Sequence, residues 1–296
     1  MSLPASLSDA AGVLTRAGLP GPWRFAWPDK GIHGRTVYAD SADGRVVVKF
    51  APAPPCHRRL ADLGVACRML AAEEDVHVQS YLDGTARTWG WMGEHIADVV
   101  ALVAHYATDA DLTDQLRALE PGATLAGHRT TVIDETLGWL AEASDPTLTD
   151  ASCTSTAARL RTEAGTDNDT DLVPSHTAPN NTTVIQLRDG SLALVDWDGL
   201  CLSDPARDLG TMLWWYCARP DYDAAWRSLS LSHDQWPAAT TRAHWWAAVT
   251  SLRAALWNDQ HGGDAGVIAS FVEDFHAAAA GRGNPKQHGS TMPVLS

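Results

Sequence analysis

Lysine is scarce in this 296-residue chain: it stands at positions 30, 49 and 286, and every other fixed cation is Arg. Lys30 and Lys286 read as surface residues. Lys49 lies in the run Val46-Val47-Val48-Lys49-Phe50. An ammonium in such a strand costs desolvation unless it meets an anion or strand alternation turns it to solvent. A second group of reactive side chains occupies residues 175–210, SHTAPNNTTVIQLRDGSLALVDWDGLCLSDPARDLG. Asp196 and Asp198 follow the apolar stretch Leu192–Val195, so they emerge where a buried strand ends. Two carboxylates there suit Mg²⁺, a hard cation that takes oxygen ligands and keeps several waters. Asn181 can serve the same ion as a neutral ligand, and His176 brings an imidazole, a group whose unperturbed pKa near 6.5 suits proton abstraction at neutral pH.

These residues need elements to hold them. GIHGRTVYADSADGRVVVKF has β-branched runs on either side of a Ser-Ala-Asp-Gly turn, the pattern of a hairpin. VACRMLAA and VHVQSYL, parted by Glu73-Glu74-Asp75, form a second. Between them PPCHRRLADLG reads as a short helix that Gly64 ends. From residue 85 the pattern turns helical: Ile96, Val99, Val100, Val103 and Tyr106 follow helical spacing and mark one buried face. Further helices are read in TVIDETLGWLAEA, STAARLRTEAG, RAHWWAAVTSLRAALW and GVIASFVEDFHAAAA. LRDGSLALVDWD is a hairpin with Asp189-Gly190 at its tip. The expectation is an α+β protein of two lobes: a β-rich lobe over 1–84 with a hinge at about 79–84, a helical lobe over 85–282 carrying a loop and hairpin at 174–198, and a tail over 283–296.

The segment VDWDGLCLSDPARDL resembles the one that follows the catalytic loop in aminoglycoside phosphotransferases and their choline-kinase-like relatives, a branch of the protein-kinase fold. In that family an H-G-D-x-x-x-x-N loop precedes a hairpin, then D-W-E or D-W-D, then G-D-P-x-x-D-L. The resemblance runs in order from about residue 20 to about residue 280. It implies a bilobal protein-kinase-like fold with ATP and Mg²⁺ as cofactors. Gly31 and Gly34 would lie over the nucleotide phosphates, and Lys49 would contact the α and β phosphates. Gln79 to Leu82, including Tyr81, would hold the adenine edge, and Asn181 and Asp196 the metal. Asp204 and Asp208 match acids of the family turn and read as structural supports of the loop.

Two departures stand out. Counting back from Asn181, the family's His, Gly and Asp fall on Pro174, Ser175 and His176, so the catalytic Asp is absent. The family's short helix carries a Glu that pairs with the strand lysine, whereas PPCHRRLADLG holds only Asp62, near its end, and Glu73 and Glu74 are turn residues. Four readings of His176 follow: a general base in place of Asp; a loop residue of a degenerate kinase that binds nucleotide, peptide or partner without transfer; a base that deprotonates a thiol or an acidic carbon; or an ordinary hydrogen-bonding loop histidine.

Composition bounds the function. The chain is 45% hydrophobic with a net charge of −14, which argues against a nucleic-acid footprint. No stretch has the length of a membrane span or the pattern of a secretory signal, so the expected compartment is the cytoplasm. Five Cys without a CxxC pair read as small apolar fillers. Residues 101–175 hold thirteen acids against four Arg, which suits either solubility or steering of a cationic substrate. The thirteen Trp read mostly as core. Asp196, Asp198 and His176 form the catalytic expectation, and the expected activity is ATP- and Mg²⁺-dependent transfer to a hydroxyl of an antibiotic-like small molecule or a peptide Ser/Thr. The alternative is a pseudokinase of a lanthipeptide-type pathway, with a partner protein, that binds or cyclises a modified peptide with His176 as base.

Overall fold

Ser6 and Asp9 start a helix that the strand-rich reading of the N-terminus does not include. Each side chain bonds the other's backbone N–H in a capping box, and Ala10, Val13 and Leu14 share one face. The computed structural model describes residues 6–19, 21–28, 35–165, 171–218 and 220–288. In chain order, the first part comprises α1 (Leu7–Arg16), β1 (Arg24–Ala26), β2 (Thr36–Ser41), β3 (Gly44–Lys49), α2 (His57–Asp62), β4 (Met69–Glu73), β5 (Val76–Ser80) and β6 (Gly84–Ala86). Helices α3 (Trp89–Glu94), α4 (Ile96–Ala107), α5 (Ala110–Leu119), α6 (Leu125–Ala141) and α7 (Ala151–Ala164) come next. Four short strands follow: β7 (Val173–Ser175), β8 (Val184–Leu187), β9 (Leu192–Leu194) and β10 (Cys201–Ser203). The chain closes with α8 (Ala206–Tyr216), α9 (Tyr222–Ser228), α10 (Trp236–Gln260) and α11 (Ala265–Ala279). This is an α+β protein with antiparallel sheet in its first part and helices in its second.

Two compact units arise. One comprises residues up to Arg87 together with Thr182–Leu200, the other Thr88–Asn181 together with residues from Cys201 on. The β8–β9 hairpin, which the sequence division puts with the helical lobe, groups with the first unit because β8 pairs with β6.

In the first unit an antiparallel sheet runs β1-β2-β3-β5-β4. Alternation gives it two unlike faces. Val37, Ala39, Val48, Val76 and Val78 join Ala10, Val13 and Leu14 of α1 in an apolar core. The register sets Lys49 beside Thr36 and His77, and Val47 beside Gln79, so these residues occupy the opposite face. Gly64, at φ 73, follows α2 in the left-handed conformation that ends a helix, as its position in the sequence predicts.

In the second unit α8 is buried along its whole length. On α4, Val99, Val103 and Tyr106 of the expected face are buried, with Ile96 and Val100 partly so. Trp214, Trp226 and Trp246 are among the largest fully buried side chains, whereas Trp257 is exposed. All five Cys are free. Lys286 corrects the surface expectation: its ammonium donates to the Ser270 carbonyl and to buried Asp274, because the 3-10 turn Pro285–His288 packs it onto α11. Where α8 meets α10, a Cβ on Gly210 would lie 2.5 Å from the Ala243 Cβ. Gly210→Ala is therefore expected to destabilise the protein by about 1–3 kcal/mol through overpacking, measured by urea denaturation; an unchanged midpoint would show that α10 gives way freely.

Candidate functional site

In the first unit, the end of β3 and the end of the β8–β9 hairpin supply three charges to one point. The Lys49 Nζ donates to Asp196 Oδ1 and to Asp198 Oδ1, each at 2.9 Å. The lysine side chain is only 12% exposed, against 62% for Asp196 and 44% for Asp198. Burial works against the ammonium's charge, but the two carboxylates overcome it and hold the Lys49 pKa above its ordinary value. The pairing decides what the sequence left open. Glu73 is bound to Arg16, at 2.8 and 3.0 Å, and Asp62 is exposed at the end of α2.

The chain makes this arrangement by turning sharply after β9. Val195 continues the hairpin through its N–H to the Thr183 carbonyl, and Asp196 then takes a left-handed conformation, φ 67 and ψ 54. That conformation is uncommon away from glycine, although Asp adopts it more readily than most residues. Trp197 then points into the core, its Nε1 donating to the Leu194 carbonyl at 3.0 Å, so the acids on either side of it can both reach Lys49. The aromatic residue between the two Asp is thus the pivot of the site.

Two buried histidines that the sequence reading did not single out stand near this group. His57 on α2 bonds the Cys67 carbonyl through Nε2, and His77 on β5 bonds the Ala51 carbonyl through Nδ1. Burial lowers both pKa values, with Lys49 adding to the effect. The sequence signal for His77 was its place in strand alternation. Gln79 is buried two residues along the same strand, and Tyr81 packs edge-on against Tyr38 with the Arg45 guanidinium over both rings. Gly31 and Gly34 lie outside the described residues.

In the second unit, the loop after β7 is organised by Asp208. Its Oδ2 accepts from the Tyr106 hydroxyl at 2.8 Å and from the His176 N–H at 2.7 Å. Its Oδ1 accepts from the Ser175 hydroxyl at 2.8 Å and from the Thr177 N–H at 3.1 Å. Burial, with the Asp208 charge beside it, pushes the Tyr106 hydroxyl pKa well up. Thr177 is held at φ 74, so the bonds to Asp208 also fix a strained turn. His176 is buried. Asn181 donates its backbone N–H to the Tyr216 oxygen at 2.9 Å and receives the Tyr216 hydroxyl on its side-chain oxygen at 3.1 Å. Tyr106 and Tyr216 are site supports that sequence reasoning missed, since their spacing marks them only as core.

Asp204 anchors the turn from below. It accepts from Arg242 Nε and Trp246 Nε1, both at 2.9 Å, and from the Ala206 N–H. Nearby, Arg207 Nη1 lies 2.7 Å from His128 Nε2, and burial together with that guanidinium lowers the His128 pKa to about 3, which keeps the imidazole a neutral acceptor.

Among the described residues no cluster of three or more His, Cys, Asp or Glu is arranged to hold a metal ion. Asp196 and Asp198 nevertheless offer hard oxygen donors on a partly exposed turn. No helix among the described residues is long and apolar enough to cross a membrane.

The fold is the protein-kinase-like fold of choline kinases and of aminoglycoside and macrolide phosphotransferases. A choline kinase from Streptococcus pneumoniae superposes with a TM-score of 0.68 at 14% identity, over 93% of this chain and 100% of the other. A macrolide 2'-phosphotransferase from Brachybacterium faecium gives 0.53 at 16% identity, over 91% and 97%. A thermostable mutant of an aminoglycoside phosphotransferase, in complex with ADP and hygromycin B, gives 0.57 at 14% identity, over 96% and 100%. No protein-family model matches the sequence.

Proposed function

We propose that this chain is a phosphotransferase-type protein that binds Mg·ATP and acts on a hydroxyl of a small molecule. The observation that carries the reading is the Lys49 ammonium held at 2.9 Å by Asp196 and Asp198. A structural lysine would not need two acids on a partly exposed turn. When bound, Mg·ATP supplies the transferable phosphoryl group and the cation that offsets its charge. Lys49 then binds phosphate oxygens as a point charge, and Asp196 offers carboxylate oxygens to the metal. The family pattern gives Asn181 a neutral oxygen for the same ion and gives Gln79 and Tyr81 the adenine edge. His176 takes the base position, where its imidazole accepts the proton of the attacking hydroxyl. Choline, macrolides and hygromycin B are named for the similar structures, which supports a small-molecule acceptor; no observation favours a peptide.

Thermal shift tests the reading. Mg·ATP at about 100 times its Kd should add about 2.7 kcal/mol of stability, and no shift at millimolar nucleotide would sink it. With an acceptor in hand, His176→Ala should lower turnover by about 10²–10⁴-fold. Unchanged turnover would remove His176 from the mechanism.

A further inference from the structure

We propose that Asp198 is the positioning residue of Lys49, filling the role for which the short helix α2 provides no buried acid, and that it retains the lysine when a divalent cation engages Asp196. The inference rests on the nucleotide reading only for the use to which Lys49 is put.

The buried residues of α2 are Leu60 and His57, and the His57 Nε2 is committed to the Cys67 carbonyl at 2.8 Å. The acids at the ends of α2 and β4 do not serve, since Asp62 is exposed and Glu73 is paired with Arg16. Asp196 and Asp198 bind the ammonium at equal distance, but they are mounted differently. Asp196 is the more exposed and stands at the left-handed turn. Asp198 lies in the 3-10 turn Trp197–Gly199, which is pinned by the buried Trp197 ring and closed by the Leu200 N–H on the Trp197 carbonyl. The same hairpin is tied to the segment after α2 through the Leu194 N–H and the Val65 carbonyl, at 2.8 Å.

The consequence is a division of labour between two acids one residue apart. A cation that takes up the Asp196 oxygens weakens their hold on Lys49, and an ammonium on a flexible four-carbon stem would then move out toward water. With Asp198 in place the ammonium keeps a charge-assisted bond and its direction.

The small number of lysines makes the test direct. Acetylation by a water-soluble N-hydroxysuccinimide ester, read by peptide mass spectrometry with and without millimolar Mg²⁺, reports Lys49 separately from Lys30 and Lys286. In Asp198→Asn, Lys49 should be labelled about tenfold faster than in the wild type, the factor that loss of one charge-assisted hydrogen bond implies at its lower bound, and faster still with Mg²⁺. Asp196→Asn removes a bond of the same length, so without Mg²⁺ it should accelerate labelling by a similar factor, but Mg²⁺ should add nothing further there, because the carboxylate that a cation would engage is gone. Asp198→Glu should restore protection, and unchanged Lys286 labelling shows that the fold is intact. No acceleration in Asp198→Asn, or an added effect of Mg²⁺ no larger in Asp198→Asn than in Asp196→Asn, would overturn the proposal. The readout needs no nucleotide, so absence of nucleotide binding would refute the phosphotransfer reading and leave this one standing on its own result.

Discussion

Replacing Asp204 by Ala should lower the stability of the protein by about 3–5 kcal/mol, the usual cost of removing one partner of a buried ion pair. The Arg242 guanidinium is 4% exposed and the Asp204 side chain wholly buried. The substitution takes the carboxylate from a cation that water cannot reach. The same acid receives the Trp246 Nε1 and the Ala206 N–H, so an indole donor and the start of α8 lose their acceptor too. For a protein of this size the loss corresponds to a Tm lower by on the order of 10 °C. Asp204→Asn should be nearly as damaging as Ala, because all three partners are N–H donors and the amide NH₂ must face either the Ala206 N–H or the Arg242 and Trp246 donors. Urea denaturation followed by tryptophan fluorescence reads the effect. A loss below about 1 kcal/mol, the range of solvent-exposed pairs, would mean that water enters this part of the unit.

Much of the fold was legible because its elements carry strong periodic signals. The β2–β3 and β4–β5 hairpins, the short α2 ended by Gly64, and the long helices α6, α7, α10 and α11 follow from alternation, turn residues and apolar spacing. Helix α1 went unread although Ser6 and Asp9 spell a capping box, because it is short and precedes a segment dominated by strand formers. The place of the β8–β9 hairpin was not legible at all. It is decided by the pairing of β8 with β6, a contact about a hundred residues away in sequence, and no local pattern encodes such a partner.

The candidate site divides in the same way. Lys49, Asp196 and Asp198 could be chosen from residue type and strand position, and the Asp-Trp-Asp spacing contains the geometry: the Trp turns inward, so both acids turn to the lysine. The identity of the lysine's partner was hidden, since the missing helix Glu suggested Asp62 or a turn Glu. Glu73 is exposed and sits within reach of Arg16, a pairing that depends on how α1 lies on the sheet. Hydroxyl supports are the least legible class. Tyr106 lies at a helical core position and Tyr216 in an aromatic run, and neither position announces that its hydroxyl will bind Asp208 or Asn181.

Asp208→Asn should be nearly as damaging as Asp208→Ala, and the reason lies in the kinds of partner the acid has. A carboxylate only accepts, and here it receives the Tyr106 and Ser175 hydroxyls and the His176 and Thr177 N–H groups. An amide carries oxygen on one side and NH₂ on the other. Whichever way it is turned, the NH₂ meets a backbone N–H, that of His176 or that of Thr177, and neither can become an acceptor. Serine and tyrosine hydroxyls can rotate to accommodate the change; the two peptide groups cannot. A buried donor left facing a donor costs about 1–3 kcal/mol, and loss of the charge weakens the bonds that remain. Tyr106→Phe, which removes one hydroxyl donor and leaves the carboxylate three partners, should cost only about 1 kcal/mol. The expected order in urea denaturation is therefore Asp208→Ala and Asp208→Asn together, well below Tyr106→Phe. Equal stability of Asp208→Asn and the wild type would show that the loop is not held through these N–H groups. Because two of the four donors are the backbone of His176 and Thr177, the same substitution releases the turn at φ 74. Activity that depends on His176 should then fall further than the loss of folded protein accounts for, a comparison made by assaying at a temperature where both variants remain folded.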